Sequence, residues 1–157
     1  MHEIIIFKAY RLLQAYRYGC VVYSCPIGLG PCPVGHKRME GDGRTPEGEY
    51  RVCTRNDRSK YTLFLGLDYP SLNDAQAAYA HGVISEAQLQ SIMGAHAAGK
   101  RPPWDTPLGG QIGIHGGGIP DGDGLADSTV GCITLLDDDI RWLWELAPMG
   151  TRVVIHP

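Results

Sequence analysis

Residues 112–135, IGIHGGGIPDGDGLADSTVGCITL, constrain this chain more than any other stretch. Its glycines read as a turn that presents the thiol, with strand or helix beyond. The segment also sets His115 in a glycine-rich turn and Cys132 seventeen residues later, with Gly131 before the thiol and the β-branched Ile133 after it. A free thiol has a pKa near ~8.5 and is only a few per cent thiolate at neutral pH, and a neighbouring imidazolium can lower that value by several units. His115 beside Cys132 would therefore be a base and an activated nucleophile. Taken alone, the pair also fits a buried structural cysteine and a hydrogen-bonded turn histidine. Residues 111–115 and 153–155 read as strands that bracket the site.

With 157 residues, 43% apolar and 20% charged, the chain fits one globular domain spanning 1–157. Its 21 glycines and 11 prolines suit many strands joined by tight turns. The net charge of −3 gives no broad basic field, which argues against a nucleic-acid partner. Residues 3–23 read as a β-hairpin with apolar and aromatic runs at 4–7, 11–16 and 20–23. A Pro/Gly-rich loop follows, whose cations His36, Lys37, Arg38 and Arg44 are either solvated or in contact with substrate carboxylates. Thr45-Pro46-Glu47-Gly48 has turn chemistry and leads into a strand over 50–54.

From 71 to 100 the pattern becomes helical, with helices expected over 73–81 and 85–98 and a Ser85/Gln88 capping box. This helical hairpin insertion would be a lid, a cleft wall or simply packing against the sheet. Asp137-Asp138-Asp139 opens a short C-terminal helix over 140–147, with Trp142, Leu143 and Leu146 as its buried stripe. A last strand is expected over 151–155.

Five cysteines, at 20, 25, 32, 53 and 132, leave at least one unpaired. Cys25 and Cys32 read as reduced thiols, with a disulfide between them or a zinc site with His36 as lesser alternatives. His115-Gly116-Gly117-Gly118 matches an esterase oxyanion segment, but no G-x-S-x-G elbow accompanies it. Asp121, Asp123 and Asp127 suggest a calcium loop, but the spacing fails at Leu125 and no glutamate closes it. No metal or cofactor is expected. No segment reaches the roughly 18 to 20 apolar residues of a membrane span, and Ile4-Ile5-Ile6-Phe7 is too short for a signal-peptide core.

Taken in order, Gly41-Asp42-Gly43-Arg44-Thr45-Pro46-Glu47-Gly48-Glu49-Tyr50, Phe64-Leu65-Gly66-Leu67-Asp68-Tyr69-Pro70, Ile114-His115-Gly116, Ser128-Thr129-Val130-Gly131-Cys132 and Gly150-Thr151-Arg152-Val153-Val154-Ile155 carry a likeness. The chain resembles the L,D-transpeptidase catalytic domain (YkuD-type) over nearly its whole length. The resemblance implies a mainly β, sandwich-like fold with the helical hairpin inserted. It makes Cys132 the nucleophile and His115 the general base, with backbone N–H groups of Gly131 and Cys132 stabilising the oxyanion and the Gly116 carbonyl orienting the imidazole. Ser128, Thr129, Val130, Thr134 and Trp104 are the residues expected to line the substrate. Two positions depart from the common pattern: Val130 stands where many members carry histidine or another polar residue, and Thr134 where many carry Arg or Asn.

The implied reaction joins peptidoglycan stem peptides through a thioester on Cys132, giving 3→3 cross-links, with carbapenem-type compounds as acylating inhibitors. A hydrolase of the same fold and a non-catalytic wall-binding module are the alternatives. The implied location is the cell envelope, although no export signal is visible in the chain.

Overall fold

The computed structural model describes residues 2–157. The chain runs β1 (His2–Phe7), β2 (Leu12–Arg17), β3 (Cys20–Pro26), β4 (Gly48–Ser59), β5 (Thr62–Leu67), α1 (Leu72–Ala80), α2 (Glu86–Ala97), β6 (Gly113–His115), β7 (Pro120–Asp121), β8 (Gly124–Leu125), β9 (Ile133–Thr134), α3 (Asp137–Leu146) and β10 (Arg152–His156). The N-terminal hairpin expected from sequence continues as a three-strand meander, its second turn made by Tyr18 and Gly19 at φ +52° and +79°. Eight strands form one sheet in the order β3-β2-β1-β10-β4-β5-β6-β9, and β7-β8 is a separate small hairpin.

The architecture is mainly β, as the sequence implied, and its two layers are the halves of one curled sheet. Gly28, just beyond β3, bridges Thr134 of β9, with backbone N–H to O distances of 3.0 and 2.9 Å. The two edges of the sheet therefore meet, which covers edge groups that would otherwise invite another chain to pair.

Strand alternation builds the core. Ile4 and Ile6 of β1 lie beside Ala15 and Leu13 of β2 and beside Val153 and Ile155 of β10, all buried. Tyr50 of β4 continues the row opposite Val153, Val52 meets Leu67 of β5, and Leu65, Ile114 and Ile133 complete it across β5, β6 and β9. Burying a side chain of this size stabilises the fold by about 1.5–3 kcal/mol, so the inward face fixes the register. A strand's side chains alternate, and the same register turns His115, Thr134 and Cys132 to the opposite face. The core decides where the candidate catalytic groups point.

The helical hairpin forms as expected, and Ser85 and Gln88 make the capping box, with bonds of 3.2 and 2.9 Å. A second box, Ser71 with Asp74, starts α1. Asp74 also accepts from His36 (2.7 Å) and the Tyr50 hydroxyl (2.8 Å), pinning α1 to the β4 strand and to the Pro/Gly-rich loop. The hairpin packs around its own small cluster, Ala75, Ala78, Ile84, Leu89, Ile92 and Leu108, separate from the sheet core.

In α3, acidic residues occupy the first turn, where they complement the helix dipole. Its buried residues are Ile140 and Leu143, with Leu146 partly buried against the core. Trp142, expected among them, is 58% exposed and stacks on Tyr23, because it projects one position round from Leu143. The strand over 153–155 lies within β10, separated from β6 by β4 and β5, so it does not bracket the site. That place belongs to β9, which runs parallel to β6. Among the described residues no helix is long and apolar enough to cross a membrane.

Candidate active site

Parallel β6 and β9 pair His115 with Thr134 and Ile114 with Ile133. Cys132 immediately precedes β9, two residues before Thr134, and so shares the His115 face of the sheet. His115, Cys132 and Thr134 border one open cleft of about 1110 Å³, together with Ser128, Thr129, Val130, Trp104, Gln111, Tyr61 and Phe64.

His115 is 5% exposed. Its Nδ1 lies 2.7 Å from the Gly116 carbonyl, and a carbonyl only accepts, so Nδ1 carries the proton in the neutral ring. Nε2 is then the basic nitrogen. The Thr134 hydroxyl donates to the same carbonyl at 3.2 Å. Thr134, expected to touch substrate, borders the cleft but is only 1% exposed, and its hydroxyl bonds the carbonyl that holds the histidine. The Tyr61 ring stacks on the imidazole at 4.3 Å between centroids, 21° from parallel. Gly116 is obligatory here, since a Cβ would sit 2.7 Å from both Asp137 Oδ1 and the Tyr61 carbonyl. Burial pushes the imidazole below its ordinary pKa, and the Gly116 bond only partly offsets it.

Cys132 is half-buried, and its thiol donates to the Gln111 carbonyl at 3.3 Å. Burial pushes the thiol up, with the Gly113 N–H and the positive field of Lys37 acting weakly the other way. Both shifts run toward the neutral forms, thiol and imidazole. Proton transfer would then accompany attack.

The turn before the thiol is shaped by Thr129. Its hydroxyl donates to the Cys132 carbonyl (2.7 Å) and accepts from the Gly131 N–H (3.2 Å). The Gly131 N–H, expected among the oxyanion donors, is thereby engaged within the turn. What Gly131 supplies is backbone freedom, with φ at +147° and a hypothetical Cβ 2.8 Å from the Arg44 carbonyl. Its own carbonyl accepts from Thr45 at 2.7 Å. Ser128 and Val130 are exposed along the cleft, Val130 at 82%. Trp104 lines it from the loop after α2, with the Arg101 guanidinium 4.3 Å over its ring.

The helices of the insertion do not border this cleft; only their exit loop does. A smaller cavity of about 350 Å³ lies against them, bordered by His36, Arg38, Ala77, His81, Val83 and Leu108. Of the basic cluster, Lys37 is 4% exposed and held by Asp42 at 3.0 Å. Asp127 is paired with Arg11 and accepts from the Leu29 N–H at 2.9 Å, while Asp121 to Gly124 forms the β7-β8 turn. All five cysteines are free thiols, and among the described residues no group of three or more His, Cys, Asp or Glu is placed to hold a metal. Sequence reasoning missed Tyr61, Gln111 and Asp137. The left-handed backbones of Gln111 and Thr62 (φ +55° and +75°) have no residue-type signal, because neither is glycine or asparagine.

The chain belongs to the L,D-transpeptidase catalytic domain family, YkuD, whose model matches residues 1–155. No curated protein matches it in sequence. Similar solved structures include the helical cell shape determining protein Pgp2 from Campylobacter jejuni, with TM-score 0.62 and 21% identity over 99% of this chain and 47% of that one. Bd1075 of Bdellovibrio bacteriovorus gives TM-score 0.61 and 22% identity over 99% of this chain and 47% of that one. An L,D-transpeptidase from Xylanimonas cellulosilytica gives 0.57 and 16% over 99% and 60%. The chain spans about half the length of these proteins, and at such identities the likeness shows the fold.

Proposed function

We propose that the domain is a cysteine-dependent L,D-transpeptidase acting on peptidoglycan stem peptides of the cell envelope, with Cys132 as nucleophile and His115 as general base. The observation that carries this reading is the His115 ring, fixed with Nδ1 on the Gly116 carbonyl, on the sheet face and in the cleft it shares with Cys132. As Cys132 Sγ attacks the carbonyl of the third stem residue, its proton passes to His115 Nε2. The Sγ–C bond forms, the C–N bond to the terminal D-alanine breaks, and His115 returns the proton to the departing amine. An acceptor amine on a second stem then loses a proton to His115 and attacks the thioester. The C–S bond breaks, the new amide forms, and the thiol regains the proton. The Cys132 N–H is the oxyanion donor, a role typically worth about 3 kcal/mol.

The cleft's breadth supports a reaction with two substrates. Cys132 borders the Trp104–Gln111 wall and His115 the Tyr61 wall. Arg58, Lys60 and Arg101 line it and complement acidic stem peptides. Water in place of the amine would make the same site a hydrolase.

Mass spectrometry of purified tetrapeptide muropeptides, incubated with wild type and Cys132→Ala, tests the reading. Loss of D-alanine with a new dimer, absent in the variant, is the expected result. Loss of D-alanine without a dimer assigns the hydrolase, and turnover by the variant sinks every Cys132 mechanism.

A further inference from the structure

The turn that carries Tyr61 over the imidazole is itself strained. Thr62 is β-branched yet sits at φ +75°, a conformation such residues avoid and which persists only where surrounding contacts impose it. A contact made at this turn comes from Asp137, in the first turn of α3. One carboxylate oxygen, Oδ1, accepts from the Thr62 hydroxyl and from the Gly117 N–H, each at 2.8 Å. Thr62 flanks Tyr61 in the β4–β5 turn, and Gly117 ends the His115-Gly116-Gly117 segment. A single oxygen thus ties the cover of the imidazole to the backbone that presents its Nδ1 acceptor. The packing is tight: a Cβ on Gly117 would lie 3.2 Å from the Tyr61 ring.

We infer that Asp137 is a positioning residue for His115, acting through Thr62 and Gly117 to lock the Tyr61 turn over the ring and hold the tautomer whose Nε2 faces the chemistry. The inference rests on the Cys132/His115 reading of the site. Asp137 does not touch the reacting atoms. Its action is geometric, so any side chain that offers the same acceptor oxygen serves. Asparagine keeps that oxygen; alanine does not.

The test uses the full chain and three variants, Asp137→Ala, Asp137→Asn and Thr62→Ala. The first readout is the ¹⁵N spectrum of His115, which distinguishes a proton on Nδ1 from one on Nε2 without any substrate. The second is the rate of D-alanine release, split into kcat and KM. Both alanine variants are expected to mix the two tautomers and to lower kcat by roughly 10- to 100-fold with little change in KM, the usual scale for a displaced catalytic group. Asp137→Asn is expected to keep the wild-type ¹⁵N pattern and a kcat within about 3-fold of wild type, since its amide oxygen accepts the same two bonds. Thr62→Ala leaves α3 untouched, so a shared effect does not come from a frayed helix. A wild-type tautomer pattern in Asp137→Ala, or an Asn variant as defective as the Ala one, overturns the inference. Because the ¹⁵N readout needs no turnover, it decides the positioning role even if the enzyme acts on another substrate.

Discussion

His115 is held from above by Tyr61, from its Nδ1 side by the Gly116 carbonyl and from below by the sheet, whereas the Cys132 thiol rests on a turn with one weak hydrogen bond to Gln111. The contrast suits the work that the proposed mechanism gives each group. A base must keep one tautomer and one ring plane through two proton transfers, so freedom there costs rate. A nucleophile must approach a carbonyl and then carry the acyl group, and a turn braced at Thr129 and Gly131 but open at the sulfur permits that movement.

Removing the sulfur has the largest effect. Cys132→Ala is expected to lower D-alanine release on the order of 10³-fold or more, the scale seen when a nucleophile is deleted, measured on tetrapeptide muropeptides. Next comes Gly116→Ala, whose Cβ would press on Asp137 and Tyr61 within 2.7 Å. It should cut kcat by roughly 100-fold through displacement of the ring, and a variant with wild-type kcat would show that the histidine is less tightly held than the geometry implies. On the cysteine side, Thr129→Val removes one hydroxyl that makes two bonds. About 1–2 kcal/mol of stability should go with them, read by urea denaturation, with a smaller loss of rate than Gly116→Ala.

That Cys132 and His115 belong to one candidate site was legible where residue type and spacing suggest chemistry, and the structure brings both to one cleft. Cys132 and His115 stand out because few residues can be nucleophile or base, and their surrounding motifs are local. The helical hairpin was equally readable from its spacing and the Ser85/Gln88 box. What the sequence hid depends on tertiary contact. The β6–β9 pairing puts the Thr134 hydroxyl on the Gly116 carbonyl, a bracing contact that no local pattern announces. The bond from the Gly131 N–H to Thr129 was equally hidden. Residues 153–155 read correctly as a strand, but the order β10-β4-β5-β6 is not written in any local pattern. Trp142 showed that a large apolar side chain on an amphipathic helix need not face the core.

Two pH responses separate chemistry from folding. Burial raises the Cys132 thiol and lowers the His115 imidazole, so alkylation of Cys132 by iodoacetamide should accelerate steadily as pH rises through neutrality. A rate plateau across the acidic range would indicate a preformed thiolate–imidazolium pair. The smallest effect concerns Asp74, which borders the smaller cavity and not the cleft. Burial pushes its carboxyl up, but bonds from His36, Ser71 and Tyr50 outweigh this and hold it below its ordinary value of 3.8. The folded form therefore binds that proton less readily than the unfolded chain. The resulting stability is present above about pH 3.8 and is lost as pH falls through the lower folded value. Asp74→Asn should flatten this acid-side loss in thermal melts, while leaving the pH dependence of alkylation unchanged.

The most direct test of the account is peptide mapping after brief exposure to a carbapenem, in wild type and in His115→Gln. Cys20 and Cys32 are exposed free thiols and compete for any indiscriminate reagent. An adduct confined to Cys132, and formed far more slowly without His115, is the predicted result. An adduct on Cys20 or Cys32 instead, or one on Cys132 that forms equally fast in the variant, would contradict the claim that Cys132 and His115 act as one catalytic pair.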